Sequence, residues 1–358
     1  MRSVPRFLSF LFLPFAWLYG GIVRLRNWLY DRHLFSSYAA PIPVLCVGNL
    51  AVGGTGKTPQ VEYLARLLPS HKVAILSRGY KRQSKGFVLA DAQATAATIG
   101  DEPYQYVQNL AAVTVAVCEK REIGIKKLLQ AFPGLKIILL DDAFQHRAVT
   151  ASAYLLLTDY NHLFTQDFLL PVGRLREPRS GARRADAVVV TKCPDVLSPE
   201  KRDEIQWKIK AYTSPQTPVF FSQIVYAPAV PLGGRSALGK KLVLVTGIAN
   251  AQPLVRHLQT EGFQLLHHFE EADHAAYTVE RVREIVAFWH QIKEPEVAVL
   301  LTQKDAVKWQ TPELMEIWRL VPVFYLPITV AFGPQEPTFD DIVRQWVSEA
   351  GSGINSYI

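Results

Sequence analysis

A short glycine-rich run has the residue types and spacing of a phosphate-binding loop. It consists of Gly53, Gly54, Thr55, Gly56, Lys57, Thr58 and Pro59. Glycines let backbone N–H groups approach phosphate oxygens, and a helix beginning here adds its dipole. The Lys57 ammonium would reach the β- and γ-phosphates of a nucleotide, and the Thr58 hydroxyl would bind Mg²⁺. The strict pattern has a further Gly where this chain has Ala51. A glycine-rich turn before an ordinary helix is the alternative, but the sequence context favours an ATP–Mg²⁺ site.

Two adjacent acids, Asp141 and Asp142, follow the apolar run Ile137–Leu140. In nucleotide-binding sheets the carboxylate at such a strand end holds Mg²⁺, directly or through water. A plain turn would also explain two acids at this position. Because the glycine-rich loop accompanies them, we predict that Asp141 and Asp142 are metal ligands.

A second acidic pair, Asp101 and Glu102, lies between Gly100 and Pro103 at the start of a predicted helix. Acidic residues at a helix N-terminus commonly cap it, and for these two residues alone we prefer that interpretation. A carboxylate there could also accept the proton of an attacking hydroxyl.

A long loop, His162–Arg184, combines positive charge with apolar side chains. Its members are Arg174, Arg176, Arg179, Arg183 and Arg184, with Phe164, Phe168, Leu169 and Leu170. A solvated basic face is one interpretation. Arginines interleaved with apolar groups also suit a substrate that carries both phosphate and acyl chains.

Short apolar runs alternate with helix-like segments such as Thr58–Leu68 and Glu102–Leu110, which predicts an α/β fold with a doubly wound, mainly parallel sheet. The runs are Val44–Val47, Val73–Leu76, Val113–Val117, Ile137–Leu140, Tyr154–Leu157 and Ala187–Val190. Polar residues follow most of them. Since the carboxyl ends of parallel strands meet at one edge, we expect the active site there.

A Pro- and Gly-rich passage, residues 227–239, separates further apolar runs at Leu242–Val245, Val297–Leu301 and Val323–Leu326. We therefore predict four parts: an N-terminal segment (1–33), a P-loop core (34–226), a linker (227–239) and a smaller α/β domain (240–358).

Composition agrees with an ordered protein in a reducing compartment. Of the 358 residues 49% are apolar and 20% charged, and the three cysteines have no CxxC spacing, so disulfides and structural zinc are not expected. The formal charge of +7 attracts anions without distinguishing among them.

The N-terminal stretch Phe7–Val23 is apolar and aromatic, with arginines on both sides. No small-residue cleavage site follows it, and Pro14 with Gly20-Gly21 interrupts it, which argues against a signal peptide and a membrane span. A buried core helix is a further alternative. We favour a segment that lies in the membrane interface with its arginines on lipid phosphates.

Taken together, the motifs resemble the tetraacyldisaccharide 4'-kinase (lipid A 4'-kinase) family. The resemblance rests on Val47–Leu50, Gly53–Pro59, Ser77–Tyr80, Gly100–Pro103, Asp141–Arg147, Leu170-Pro171, Leu175–Pro178, Asp273-His274 and Thr302–Lys308. It implies transfer of the γ-phosphate of ATP to the 4'-hydroxyl of a tetraacylated glucosamine disaccharide 1-phosphate, giving lipid IVA, at the cytoplasmic face of the bacterial inner membrane. We expect a monomer that does not bind nucleic acid.

The resemblance also implies roles for single residues. Lys57 would be catalytic, and Asp101, paired with His274, would act as the base on the sugar hydroxyl, which replaces the capping interpretation. Glu102 would join Thr58 and the two aspartates near the metal. The residues placed with the acceptor are Ser77, Arg78, Tyr80, Gln145, His146, Arg174, Arg176 and Glu177.

Three positions depart from the family pattern. Ala143 stands where the family usually has Gly, Ala275 where it often has a second His, and Gln303 where it commonly has Glu.

Three other functions are alternatives. A membrane-recruited switch ATPase of the partitioning type has a Lys before its paired glycines, where this chain has Val52. A GTPase is suggested only by the guanine-loop-like run Thr191–Asp195, and a non-enzymatic scaffold would leave the predicted Mg²⁺ carboxylates without a role.

Overall fold

A computed structural model describes residues 12–69, 72–234, 238–273, 275–294 and 296–354. The strands are β1 (Tyr38–Ala39), β2 (Val44–Asn49), β3 (Val73–Ser77), β4 (Val88–Leu89), β5 (Thr114–Val117), β6 (Ile137–Asp141), β7 (Val149–Thr150), β8 (Ala153–Asp159), β9 (Ala187–Thr191), β10 (Val219–Tyr226), β11 (Val230–Pro231), β12 (Lys241–Thr246), β13 (Gln264–Glu270), β14 (Val297–Thr302), β15 (Val323–Leu326) and β16 (Ile328–Phe332). The α-helices are α1 (Leu13–Asp31), α2 (Lys57–Leu67), α3 (Ala96–Ile99), α4 (Asp101–Asn109), α5 (Arg121–Ala131), α6 (Pro199–Lys210), α7 (Gln252–Thr260), α8 (Val279–Gln291), α9 (Gln303–Trp309), α10 (Pro312–Trp318) and α11 (Phe339–Ile354).

The larger sheet has nine strands in the order β16-β10-β9-β8-β2-β6-β3-β5-β4. The strands from β10 to β5 are parallel, and the two outer strands, β16 and β4, are antiparallel to their neighbours. Side chains of α5 and α6 fill the core on one face, and those of α2, α4 and α11 fill it on the other. The predicted doubly wound fold is confirmed, and every predicted run of the core is a strand of this sheet.

A second, five-stranded sheet has the order β11-β15-β14-β12-β13. The passage predicted as a linker contributes to it, because β11 pairs with β15. The chain then returns to the first sheet: only Pro327 separates β15 from β16, and β16 pairs with β10. Phe339 and Val343 of α11 are buried in the core of that first sheet. Residues 328–354 therefore pack with the P-loop core, which differs from the boundary that we predicted at residue 240.

Helix α1 runs without interruption through Gly20 and Gly21. Pro14 lies in its first turn, where a proline costs no helical hydrogen bond. A Cβ on Gly20 would lie 2.7 Å from the Leu169 side chain, so the glycine permits close packing on the loop before β9. The predicted break was therefore wrong. The first part of the predicted apolar stretch, residues 7–11, lies outside the described residues.

Within the described part of the chain, no helix combines the length and the apolar character needed to cross a bilayer.

Candidate active site

The glycine-rich run connects the carboxyl end of β2 to the first turn of α2, as the sequence predicts. Gly53 and Gly56 adopt φ angles of 111° and 77°, which only glycine adopts without strain. Asn49, at the end of β2, is fully buried and donates from Nδ2 to Thr55 Oγ1 at 2.8 Å. This hydrogen bond holds the loop to β2, and the loop leads into the N-terminus of α2, a position suited to binding phosphate.

Lys57 lies beside the acids at the end of β6. Its Nζ is 3.7 Å from Asp142 Oδ1, and Arg176 binds the same carboxylate through Nη2–Oδ1 (2.7 Å) and Nη1–Oδ2 (3.1 Å) contacts. Burial alone would raise the pKa of Asp142, but the Lys57 charge and the Arg176 hydrogen bonds hold that pKa well below its ordinary value. Asp142 is therefore a fixed negative charge between two cations.

Asp141 has a different environment. It is 1% exposed, its Oδ2 accepts from Ser77 Oγ at 3.0 Å, and its Oδ1 has no hydrogen-bond partner among the described residues. Burial, and then the charge of Asp142, raise the pKa of Asp141. A buried carboxylate oxygen without a partner, one residue from an ionised acid, fits a site for a cation.

The donor set suits Mg²⁺ rather than a metal enclosed by protein. Among the described residues no three Asp, Glu, His or Cys side chains converge as a metal cage. Mg²⁺ commonly needs only one or two carboxylates, because water and substrate phosphates complete its shell. Asp141, with Asp142 and the half-buried Thr58, fits that pattern, whereas the three-acid group that would include Glu102 is not assembled.

Helix α4 brings the other acidic pair to this edge. Its N-cap is Gly100, which has no side chain, so Asp101 and Glu102 occupy the first turn rather than the cap. Loss of water around Glu102, and then the charge of Asp141, raise the pKa of Glu102 to about 7, while Lys57 opposes the shift. Glu102 therefore lies close enough to Asp141 and Lys57 for their charges to affect it, and Asp101 precedes it.

Two residues predicted to contact the acceptor are internal instead. The Ser77 hydroxyl is buried against Asp141. Glu177 is 2% exposed and accepts from Gln145 Nε2 at 2.7 Å, from Arg184 Nη2 at 2.9 Å and from Asn27 Nδ2 at 3.2 Å. These side chains hydrogen-bond to the residues around them and do not line a substrate surface, because both are buried.

The remaining acceptor candidates occupy the rim of the site. Arg78 and Tyr80 are exposed after β3. Arg174 donates from Nε to Asp167 Oδ2 at 2.8 Å, and Gln145 Nε2 also donates to the Asn49 carbonyl. Burial, and then the charges of neighbouring arginines, lower the pKa of His146 to about 4, so its imidazole is neutral near pH 7.

The smaller sheet places helix α9 beside α4. Gln108 of α4 donates to Gln310 at 2.7 Å, and the charge of Lys304 acts on Glu102. Lys304 and Lys308, one turn apart on α9, bind Asp273 Oδ1 at 2.8 Å and the Ala275 carbonyl at 2.9 Å. His274, the predicted partner of Asp101, lies outside the described residues, but α9 holds the residues on both sides of it.

Two further polar residues of this edge were not predicted from the sequence. Arg121 is buried and donates to the carbonyls of Cys118 (2.8 Å) and Asp141 (3.1 Å). Tyr106 is also buried, and the charges of Asp141 and Glu102 act on its hydroxyl. Arg121 follows the apolar run Val113–Val117, so the expectation that active-site residues lie after the strands could have identified it.

Helix α1 reaches the same network. The Tyr19 hydroxyl donates to the Arg176 carbonyl at 2.6 Å, and Arg26 Nη2 donates to the Gln145 carbonyl at 2.9 Å. The polar side of the helix therefore packs against the residues around Asp142.

Comparison with known proteins gives matches over nearly the whole chain. The family model described as "Tetraacyldisaccharide-1-P 4'-kinase" matches residues 8–348. A curated tetraacyldisaccharide 4'-kinase of Cytophaga hutchinsonii is 44% identical over 90% of this chain and 92% of its own length. That of Flavobacterium johnsoniae is 42% identical over 95% and 97%. A solved structure of LpxK from Aquifex aeolicus in complex with ATP superposes with a TM-score of 0.73 at 28% identity and covers 96% of this chain and 99% of that one. The chain belongs to the tetraacyldisaccharide 4'-kinase family.

Proposed function

We propose that this protein transfers the γ-phosphate of ATP to the 4'-hydroxyl of a tetraacylated glucosamine disaccharide 1-phosphate, with Mg²⁺ as cofactor. The observation that carries the proposal is the meeting of Lys57, Asp141 and Asp142 at one strand edge, beside the first turn of α4. Phosphoryl transfer is catalysed chiefly by positioning and by charge stabilisation, and this edge supplies both.

Different residues act on ATP, the phosphate donor, and on the lipid disaccharide, the acceptor. The backbone of the glycine-rich loop and Lys57 hold the triphosphate, and Lys57 stabilises the charge that develops on the γ-phosphate. Asp141 and Thr58, with Asp142, would hold Mg²⁺, which would neutralise negative charge on the triphosphate. Asp101, with His274, takes the proton of the attacking sugar hydroxyl, and the exposed Arg78 and Tyr80 and the half-buried Arg174 contact the acceptor.

The acceptor reaches the site from a lipid surface. Large apolar side chains on α1 are exposed, namely Phe15, Trp17, Leu18, Ile22, Leu25 and Trp28. Phe168 is exposed as well, on the loop against which Gly20 packs. An apolar helix face of this kind favours insertion into the headgroup region. The segment would therefore anchor the protein peripherally at the cytoplasmic face of the inner membrane, while the other side of α1 contacts the catalytic edge.

Purified full-length protein with γ-labelled ATP, Mg²⁺ and the tetraacyl disaccharide 1-phosphate in mixed micelles tests the proposal. We expect label in the lipid product with the wild-type protein and its loss with Asp141→Asn, while Asp195→Asn on an exposed loop retains transfer. Hydrolysis of ATP to free phosphate without lipid labelling would instead indicate the switch ATPase, which the family assignment does not favour.

A further inference from the structure

Two consecutive carbonyl groups of the phosphate-binding loop accept hydrogen bonds from residues at the end of β9. Thr191 Oγ1 donates to the Thr55 carbonyl at 2.9 Å, and Lys192 Nζ donates to the Gly54 carbonyl. Thr191 is buried, and its hydroxyl also lies 3.2 Å from the Thr158 carbonyl. These contacts come from a strand two places away from β2 in the sheet.

A loop that binds phosphate must direct its N–H groups toward the ligand and its carbonyl groups away from it. A carbonyl oxygen that faces a phosphate repels it, and an outward-facing carbonyl needs a donor. Glycines add conformational freedom, so the loop needs outside contacts to keep one shape. Thr191 and Lys192 donate hydrogen bonds to two successive carbonyl groups of the loop. They thereby help to hold the loop in the shape that phosphate binding requires.

The donors are themselves held in place. Lys192 has a φ of 57°, an uncommon conformation for a residue other than glycine. Its Nζ also pairs with Asp159 Oδ2 at 2.8 Å. The following residues are fixed to β10, because the Cys193 N–H donates to the Ser222 carbonyl at 2.9 Å and Gln223 Nε2 donates to the Asp195 carbonyl at 2.9 Å. The strained conformation is thus maintained by its surroundings.

Lys192 follows β9, on the opposite side of β2 from Asp141 and Asp142. These two acids follow β6 on one side of β2 in the sheet, whereas β8 and β9 lie on the other side. The Lys192 ammonium donates to the Gly54 carbonyl of the phosphate-binding loop and pairs with Asp159. We therefore expect its loss to weaken ATP binding more than acceptor binding.

We propose that Thr191 and Lys192 are positioning residues for ATP: they hold the Gly54 and Thr55 carbonyls away from the phosphates and thereby set the affinity for the nucleotide. This role explains the run Thr191–Asp195 without assigning it to guanine recognition.

The test measures the affinity of the full-length protein for ATP by calorimetric titration, together with the KM for ATP and for the acceptor. For Lys192→Met we expect both the Kd and the KM for ATP to rise about tenfold, since a hydrogen bond from a charged donor is lost at a partly exposed position. The KM for the acceptor should stay within about twofold, and Lys192→Arg should restore most of the affinity. Lys201→Met, which removes the same charge from the surface of α6, is the control and should change none of these constants.

A second pair of variants covers the case in which Lys192→Met does not fold. Thr191→Val keeps the volume but removes the donor and should raise the Kd for ATP, whereas Thr191→Ser keeps the donor and should not. An unchanged Kd in Lys192→Met or Thr191→Val overturns the proposal, as does an equal rise of the KM for both substrates. Because the titration needs no acceptor, its result is independent of the acceptor's identity.

Discussion

Replacing Arg176 by Met separates two roles that this residue could have. The family resemblance placed Arg176 with the acceptor, but in the structure its guanidinium binds both oxygens of Asp142 and the Asn49 carbonyl at 3.0 Å. Met keeps much of the apolar stem and removes every donor. If Arg176 acts through Asp142, the variant should lose function at the metal–nucleotide site rather than in acceptor binding.

The magnitude follows from the hydrogen bonds that are lost. Each bond to a charged group contributes about 1.5–3 kcal/mol, and both side chains are partly solvated, so the lower value applies. Loss of the two bonds to Asp142 then costs about 3 kcal/mol, which corresponds to roughly a hundredfold fall in kcat/KM for MgATP. The pKa of Asp142 should rise as well, since the hydrogen bonds and charge of Arg176 are among the interactions that lower it.

The assay is steady-state kinetics with MgATP and acceptor varied separately, at several Mg²⁺ concentrations. We expect a higher Mg²⁺ requirement and a lower kcat/KM for MgATP, with the KM for the acceptor changed less than about threefold. Arg174→Met is the contrasting variant: Arg174 is placed with the acceptor and pairs with Asp167 rather than with Asp141 or Asp142, so its loss should leave the constants for MgATP unchanged while the KM for the acceptor rises. A large rise in acceptor KM with normal MgATP constants would refute the reasoning and return Arg176 to the acceptor site.

Three further predictions address the lipid surface, the general base and acid stability. Trp17→Ser should weaken sedimentation with anionic lipid vesicles, whereas Trp207→Ser, which removes an equally exposed tryptophan from α6, should not; equal effects would contradict the role of α1. Asp101→Ala and His274→Ala should each lower kcat by roughly 10²–10⁴-fold, and the double variant should lose little more; a multiplicative loss would exclude a joint role. The pKa of His146 is about 4 in the folded protein against 6.5 ordinarily, so the unfolded chain binds a proton first and stability falls as the pH drops from 6.5 toward 4. In urea titrations at pH 7 and 5, His146→Asn should lose less unfolding free energy than the wild type, and an identical loss would exclude His146 as the cause.

The sequence determined the parts of this protein that depend on local pattern. The unalternated apolar runs predicted the strands of the core, because strands buried on both faces need apolar side chains at every position. The glycines and Lys57 predicted the loop between β2 and α2, since few residue types permit its backbone. The polar residues after the strands predicted which edge carries the site.

Only the tertiary structure decided which of these polar groups form hydrogen bonds or ion pairs with one another. Pairing of β16 with β10 depends on contacts far apart in the chain, so no local signal marked β16 and α11 as parts of the P-loop core. In the sequence, Ser77 and Glu177 cannot be distinguished from polar residues of a surface. Only the packing shows that both are buried and hydrogen-bonded to other side chains. Likewise, the role of Lys192 depends on its distance from Gly54, which arises because strand order in the sheet brings β9 beside the phosphate-binding loop.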